Sequence, residues 1–206
     1  EIKAFIKRAG INLTSLGFTD HSEVHTTLVA DRAAAILKEF GYDENTIELA
    51  KIAGYMHDIG NAINRSNHAL SGALLAFDIL RKLDMDIAEV TAVITAIGNH
   101  DEHTAAAVTP ISAALILADK SDVRRSRVRT SPDSPAFDIH DRVNYAVVDA
   151  SLTVARERKR ITLCLRIDTG ICAVMDYFEI FLTRMTLCRS AAAHLGLDFE
   201  LIINET

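Results

Sequence analysis

The apolar residues in the first part of the chain recur at helical spacing. Between about residues 20 and 40 they follow one another at intervals of three or four: Leu28, Val29, Ala33, Ile36, Leu37 and Phe40. This spacing predicts an amphipathic helix. We expect it to begin at Asp20, where a cap residue precedes an acid by three positions, and to close at Gly41. A second helix is predicted after the cap signature of Asn45 and Glu48, with Gly60 as its stop.

Four further helices are predicted before residue 121. Residues 1–18 mix apolar and basic positions and indicate a short amphipathic helix. The others open at His68, at Asp86, and at Thr109, which is followed by proline at the first helical position. The last of them runs through apolar residues to Asp119. The first part of the chain is therefore predicted to be an all-helical body.

The periodicity changes after a loop over residues 131–135, which contains two of the three prolines. Apolar residues at 143, 145 and 147, followed by those in 151–154, predict a strand. Residues 161–167 then alternate strictly between apolar and polar, which is typical of a half-exposed strand. A helix over about 171–195 and a short strand over 199–203 complete the pattern.

The predicted fold is therefore mainly α, with a helical bundle followed by a small C-terminal β-β-α-β element. We expect residues 1–130 to form the helical domain and residues 131–206 to form an α+β tail. The tail either packs on the helical domain or forms a dimer interface, because its helix carries a row of apolar residues: Val174, Phe178, Phe181, Leu182 and Met185. A homodimer is one expected partner.

Composition and charge limit the classes of function. The 206 residues are 49% hydrophobic and 24% charged, as in ordinary globular proteins. A net charge of −6 argues against binding of extended nucleic acid. No apolar run reaches the roughly 18 residues of a membrane span, and no signal peptide stands at the start of the sequence. Three cysteines without CxxC spacing suggest reduced thiols, so we expect a cytoplasmic protein.

The segment 53–60 places His57 and Asp58 side by side at the end of an apolar helix. Burying either group without a partner would cost several kcal/mol, roughly 2–7 for a neutral polar group. One interpretation is a chance pair with a hydrogen-bonded core histidine. The other is a metal site, since imidazole and carboxylate are both metal ligands. More candidate ligands stand in or beside apolar helical stretches along the chain: His25, His68, His100 and Asp119.

Taken in this order, these residues resemble the signature of the HD-domain metal-dependent phosphohydrolase superfamily. The resemblance covers about residues 20–125. It implies four core metal ligands: His25, His57, Asp58 and Asp119. It also implies that His68 and His100 correspond to the two additional histidines of two-metal members.

The resemblance implies one or two divalent ions, with Asp58 bridging them in the two-metal case. Iron or manganese suits this ligand set, and zinc, cobalt, magnesium and nickel stay open. Two features depart from the family pattern. Asn61 stands where many members have a lysine, and the short spacing between Asp58 and His68 leaves a one-metal site as an alternative.

The implied activity is hydrolysis of a phosphate ester or anhydride in a nucleotide or similar small molecule by a metal-activated water, with Asp58 as the central catalytic residue. Lys120 and Arg65 are the expected substrate contacts, although an exposed loop position is an equal interpretation for Arg65. The alternative function is a non-catalytic metal-binding regulatory or ligand-binding module. His21 lies either at the rim of the site or on the surface, and His103 is expected in a solvated loop.

Overall fold

The computed structural model describes residues 1–102, 104–135 and 137–205. Within them, the chain forms eight α-helices: α1 (Ile2–Ser15), α2 (Glu23–Glu39), α3 (Glu44–Met56), α4 (His68–Lys82), α5 (Ile87–Gly98), α6 (Pro110–Lys120), α7 (Ile139–Ala146) and α8 (Val174–His194). The strands are β1 (Val147–Ala155), β2 (Arg160–Ile167) and β3 (Asp198–Ile203). The prediction of a mainly α chain with a small β-β-α-β element is confirmed. His103, which was expected in a solvated loop, lies outside the described residues.

Two helices begin at caps other than the predicted ones. Helix α2 is capped by Ser22, whose hydroxyl accepts a hydrogen bond from the Val24 amide. Asp20 does not cap α2, because its carboxylate is bound to the amide and hydroxyl of Ser22. Helix α3 is capped by Asp43, not by Asn45. In each case the residue with extended backbone directly before the helix accepts an amide hydrogen of the first turn with its side-chain oxygen.

Helix α6 is the centre of the helical body. Every residue from 111 to 120 is buried, and α6 packs against α2, α3, α5 and α8. Its first turn is fixed by a capping box in which Thr109 and Ser112 exchange side-chain-to-backbone hydrogen bonds. Because α6 is enclosed on all sides, the polar residues at its C-terminal end, Asp119 and Lys120, lie inside the protein.

Gly60 has a different role from the predicted helix stop. Helix α3 ends at Met56, and Gly60 lies in a following 3₁₀ turn, Ile59–Ala62. A β-carbon at this position would lie 2.0 Å from the carbonyl oxygen of His68 and 2.6 Å from the amide nitrogen of Gly72. Glycine is therefore required here because the turn touches the backbone of α4, and this contact places the start of α4 beside the end of α3.

The predicted strand over residues 143–147 begins too early. Residues 139–146 form α7, which Asp138 caps by accepting the Asp141 amide. Apolar residues two positions apart suit a strand, but the cap and the buried side chains of Val143 and Ala146 select a helix here. The strand proper begins at Val147.

The three strands form one sheet in the order β1-β2-β3. Strands β1 and β2 are antiparallel, and β2 and β3 are parallel and connected through α8. The alternation in β2 is confirmed, since four apolar side chains are buried: Ile161, Leu163, Leu165 and Ile167. Helix α8 lies between this sheet and α6, so residues of both predicted segments share one hydrophobic cluster.

No helix in the part of the chain that the structure describes is long and apolar enough to cross a membrane. The division into segments 1–130 and 131–206 and the predicted homodimer stay predictions.

Candidate metal centre

Six side chains from distant parts of the sequence meet inside the helical body. They come from five places: His25 in α2, His57 and Asp58 after α3, His68 at the start of α4, His100 after α5, and Asp119 near the end of α6. All six are buried, with at most 8% of the residue surface exposed. The structure thus brings together every residue that the sequence proposed as a metal ligand.

Four of these side chains form a first cluster, which we call site 1: His25, His57, Asp58 and Asp119. The Nε2 atom of His25 lies 3.3 Å from Asp119 Oδ1 and 3.8 Å from Asp58 Oδ2. The Nε2 atom of His57 lies 3.3 Å from Asp58 Oδ2 and 3.7 Å from Asp119 Oδ1. Ligands at about 2.1 Å from one ion are about 3.0–3.4 Å apart in octahedral or tetrahedral geometry. The observed separations are close to that spacing.

Three polar atoms of site 1 are buried without a hydrogen-bond partner among the described residues: His25 Nε2, His57 Nε2 and Asp58 Oδ2. An unpaired buried acceptor is costly, about 1–3 kcal/mol for each group and more for a charged one. A divalent cation bound among them would satisfy all three at once. The residues present therefore fit a divalent metal ion.

The second carboxylate oxygen of Asp58 faces a further pair of histidines, which together with it form site 2. Asp58 Oδ1 lies 3.6 Å from His68 Nε2 and 3.9 Å from His100 Nε2. The two Nε2 atoms are 3.2 Å apart. Asp58 therefore lies between the two sites and offers one oxygen to each.

The hydrogen-bond partners of the Nδ1 atoms determine which ring nitrogen of each histidine is unprotonated. His57 Nδ1 lies 2.8 Å from the Gly54 carbonyl oxygen, and His100 Nδ1 lies 2.6 Å from that of Ile97. The Nδ1 atom of His68 lies 3.1 Å from the carbonyl oxygen of Arg65. Because a carbonyl oxygen only accepts, each Nδ1 carries the proton and each Nε2 presents a lone pair to the centre.

His25 is oriented by a carboxylate that sequence reasoning did not assign to this role. Its Nδ1–H donates to Asp122 Oδ2 over 2.7 Å, and both side chains are fully buried. Burial raises the pKa of Asp122, but the hydrogen bond from His25 and the neighbouring Arg124 and Arg127 guanidinium groups outweigh it and hold that pKa below its usual value. Such a carboxylate fixes the tautomer of a ligating histidine and increases its basicity.

The histidines of site 2 are held in their neutral, ligand-competent form. Burial lowers the pKa of His68 and lowers that of His100 well below its usual value. His57 behaves differently: burial lowers its pKa, but the charges of Asp58 and Asp119 outweigh burial and raise it. A proton therefore competes with a metal ion at His57.

The two carboxylates of the centre are ionised. Burial raises the pKa of Asp58, but the nearby imidazoles, with His57 foremost, hold it well below its usual value. Burial also raises the pKa of Asp119, and the Lys120 ammonium group, 2.6 Å from Asp119 Oδ2, is the largest influence that lowers it. Two carboxylates and neutral imidazoles form a ligand set suited to iron, manganese, zinc or cobalt.

His21 and Asn61 also belong to the centre. Burial lowers the pKa of His21 to about 3, and its Nε2 lies 3.9 Å from Asp58 Oδ2. The position of His21, four residues before His25, was the available sequence signal. The side-chain amide of Asn61 donates to Asp58 Oδ1 over 2.8 Å. Asn61 was recognised only as a departure from the family pattern.

The centre lies at the base of a pocket of about 570 Å³. Four basic side chains line it: Arg65, Lys120, Arg127 and Arg184. The predicted substrate contacts, Lys120 and Arg65, thus both reach the pocket. Lys120 is held by Asp119, and the Arg65 guanidinium lies over the Phe18 ring at 5.2 Å.

The segment after residue 130 supplies the opposite wall of the pocket. Its residues there include Asp138, His140, Asn144 and Phe181. Arg184 connects this wall to the helical body, because its Nε and Nη2 atoms both lie 2.7 Å from Glu102 Oε1. The C-terminal segment is therefore part of the pocket.

The model of the HD domain family matches residues 23–127. An uncharacterised protein of Methanocaldococcus jannaschii is 27% identical over 162 residues, which cover 68% of this chain and 62% of that protein. A crystal structure of a predicted HD superfamily hydrolase from an uncultured Thermotogales bacterium has a TM-score of 0.47 and 27% identity, and the match covers 60% of this chain and 67% of that one. The family model covers half of the chain and contains all six clustered side chains, and the chain therefore belongs to the HD domain family.

Proposed function

We propose that the protein is a metal-dependent phosphohydrolase that cleaves a phosphate ester or anhydride of a nucleotide or similar small molecule. The observation that carries this proposal is the set of three unpaired buried atoms in site 1, at the base of a pocket lined by both basic and acidic side chains. The unpaired atoms call for a cation, and the guanidinium group of Arg65, which forms no ion pair with a carboxylate of the described residues, suits an anionic substrate.

Each group of the centre has a defined part in the proposal. His25, His57, Asp58 and Asp119 would hold a first ion, and Asp58, His68 and His100 would hold a second. A bound divalent cation supplies Lewis acidity, which makes water more acidic and polarises a phosphoryl oxygen. Asp122 orients His25, and Lys120 fixes the carboxylate of Asp119.

The dimensions and charges of the pocket support a small phosphorylated substrate. A volume of about 570 Å³ lies within the usual range for small-molecule sites, roughly 300–1,000 Å³. The guanidinium group of Arg65 matches the geometry of phosphate oxygens. The polar side chains on the C-terminal wall, Asp138 and Asn144, suit the hydroxyl and amino groups of a nucleoside. Cytoplasmic location is part of the same proposal.

The test is a screen of nucleotides and other phosphorylated metabolites with Mn²⁺, Fe²⁺ or Co²⁺ added to metal-free protein. We expect phosphate release with at least one of them. Asp58→Ala should abolish turnover while the circular dichroism spectrum stays unchanged. Asp149→Ala, at an exposed position in β1, is the matched control and should keep full activity. Metal binding by the wild type without turnover of any phosphate compound would favour the alternative, a non-catalytic metal-binding module.

A further inference from the structure

The two sites differ in how well their ligand atoms are already satisfied. The unpaired buried atoms described above, His25 Nε2, His57 Nε2 and Asp58 Oδ2, all belong to site 1. No protein donor has to leave these atoms when a cation binds there. At site 1 an ion therefore displaces no donor of another residue from these three atoms, and its competitor there is the proton that Asp58 and Asp119 favour on His57.

Two of the three ligand atoms of site 2 already have a protein donor beside them, and the third, His100 Nε2, faces the lone pair of His68 Nε2. Asp58 Oδ1 accepts a hydrogen bond from the Asn61 amide over 2.8 Å. The Nη1 atom of Arg65 lies 3.4 Å from His68 Nε2 and donates to Asn61 Oδ1 over 3.3 Å. Asn61 and Arg65 thus form a connected pair of donors at the two sides of site 2.

The guanidinium group of Arg65 supplies positive charge beside His68, as a metal ion bound at site 2 would. The Nε2 lone pairs of His68 and His100 face each other at 3.2 Å, because both Nδ1 protons are bound to carbonyl oxygens. Two facing lone pairs repel unless a positive group lies beside them. Arg65 supplies that charge, and stacking on the Phe18 ring helps to hold it there.

We propose that the two sites bind divalent ions with unequal affinity, and that Arg65, positioned by Asn61, competes with the ion at site 2. This inference rests on the proposed function, because it assumes that both sites are metal sites. An ion entering site 2 has to share Asp58 Oδ1 with the Asn61 amide and move the Arg65 charge away from His68 Nε2. Site 1 requires neither change and fills first.

The inference is tested by calorimetric titration of metal-free protein with Mn²⁺, together with metal analysis after desalting. The wild type should retain one equivalent after desalting and should bind a second with at least tenfold weaker affinity. His68→Ala should lose the weak step and keep the tight one, which assigns the weak step to site 2. These measurements need no substrate and no turnover.

The decisive variant is Arg65→Ala. Removing a charge a few ångströms from a divalent ion should strengthen the weak step by about tenfold and leave the tight step unchanged. Arg65→Lys keeps the charge but loses the planar group and should give an intermediate affinity, and it also serves if Arg65→Ala does not fold. Arg81→Ala is the matched control, because Arg81 lies at the far end of α4 and donates to the Met85 carbonyl.

Two results would overturn the inference. One is two wild-type binding steps of equal affinity, and the other is a weak step that Arg65→Ala and Arg65→Lys leave unchanged or weaken further. Either result leaves the proposed function standing, because both sites still bind metal. A wild-type protein that binds no divalent ion would instead overturn the proposed function itself.

Discussion

The contact between His25 and Asp122 leads to a prediction about metal affinity. Asp122→Asn keeps the size of the side chain and removes its charge. The amide oxygen can still accept the Nδ1 proton of His25, but the charge-assisted bond at 2.7 Å becomes a neutral one. In the wild type, the Asp122 carboxylate also makes the His25 imidazole a more basic ligand. We therefore expect weaker binding of the ion at site 1.

The size of the effect follows from the burial of this pair. Both side chains are fully buried, so water does not screen the interaction. A charge-assisted hydrogen bond contributes about 1.5–3 kcal/mol and a neutral one about 0.5–1.5 kcal/mol. The difference of about 1–1.5 kcal/mol corresponds to about a tenfold loss of metal affinity. This is the lower end of the 10–100-fold range typical of such outer-shell substitutions.

The assay is titration of metal-free wild type and Asp122→Asn with Mn²⁺ or Co²⁺, with circular dichroism to establish folding. The dissociation constant of the tight step should rise about tenfold, while that of the weak step should change less than threefold, since His68 and His100 do not contact Asp122. Asp149→Asn is the control for removal of a negative charge elsewhere. A folded Asp122→Asn protein with unchanged affinity at the tight step would refute the reasoning.

Two further predictions concern stability. Gly60→Ala should lower the free energy of unfolding by roughly 2–4 kcal/mol in urea titrations, because its β-carbon would overlap the His68 carbonyl oxygen. Gly98→Ala, where the nearest atom is 3.8 Å away, should change it by less than about 1 kcal/mol, and equal losses in both variants would contradict this account. The metal-free protein should lose stability below pH 6.5, because burial lowers the pKa values of three histidines that gain protons on unfolding: His21, His68 and His100. Each contributes up to about 1.4 kcal/mol per pH unit. The raised pKa of His57 changes stability only above pH 6.5, so stability that is equal at pH 6.5 and 5.5 would refute this prediction.

The residues of the centre could be predicted because each one lies beside an apolar helix. His57 and His100 follow the last turns of α3 and α5, where buried polar groups need partners. The same periodicity predicted most of the helices and the alternation of β2. The predictions of two metal sites, of the homodimer and of the two-domain division stay predictions.

The partners of the ligands could not be predicted from local pattern. Asp122 lies 97 residues from His25 in sequence, and only the packing of α6 against α2 brings them together. Arg65 had two equal interpretations in the sequence, and its contact with His68 depends on the conformation of the loop before α4. The cap of α2 was misplaced because Asp20 and Ser22 both offer a capping oxygen, and their mutual hydrogen bond decides between them.

Three histidines of the centre share a local hydrogen bond that determines their tautomer. His57, His68 and His100 each direct Nδ1 to the carbonyl oxygen three residues earlier, so the local backbone alone presents Nε2 to the metal site. His25 lies within α2, where the backbone carbonyls are bound within the helix, and it needs the distant carboxylate of Asp122. Site 2 therefore combines locally oriented histidines with donors that compete with the ion. Site 1 depends on tertiary packing and leaves its ligand atoms unpaired, so tight metal binding should require the complete docking of α6 on α2.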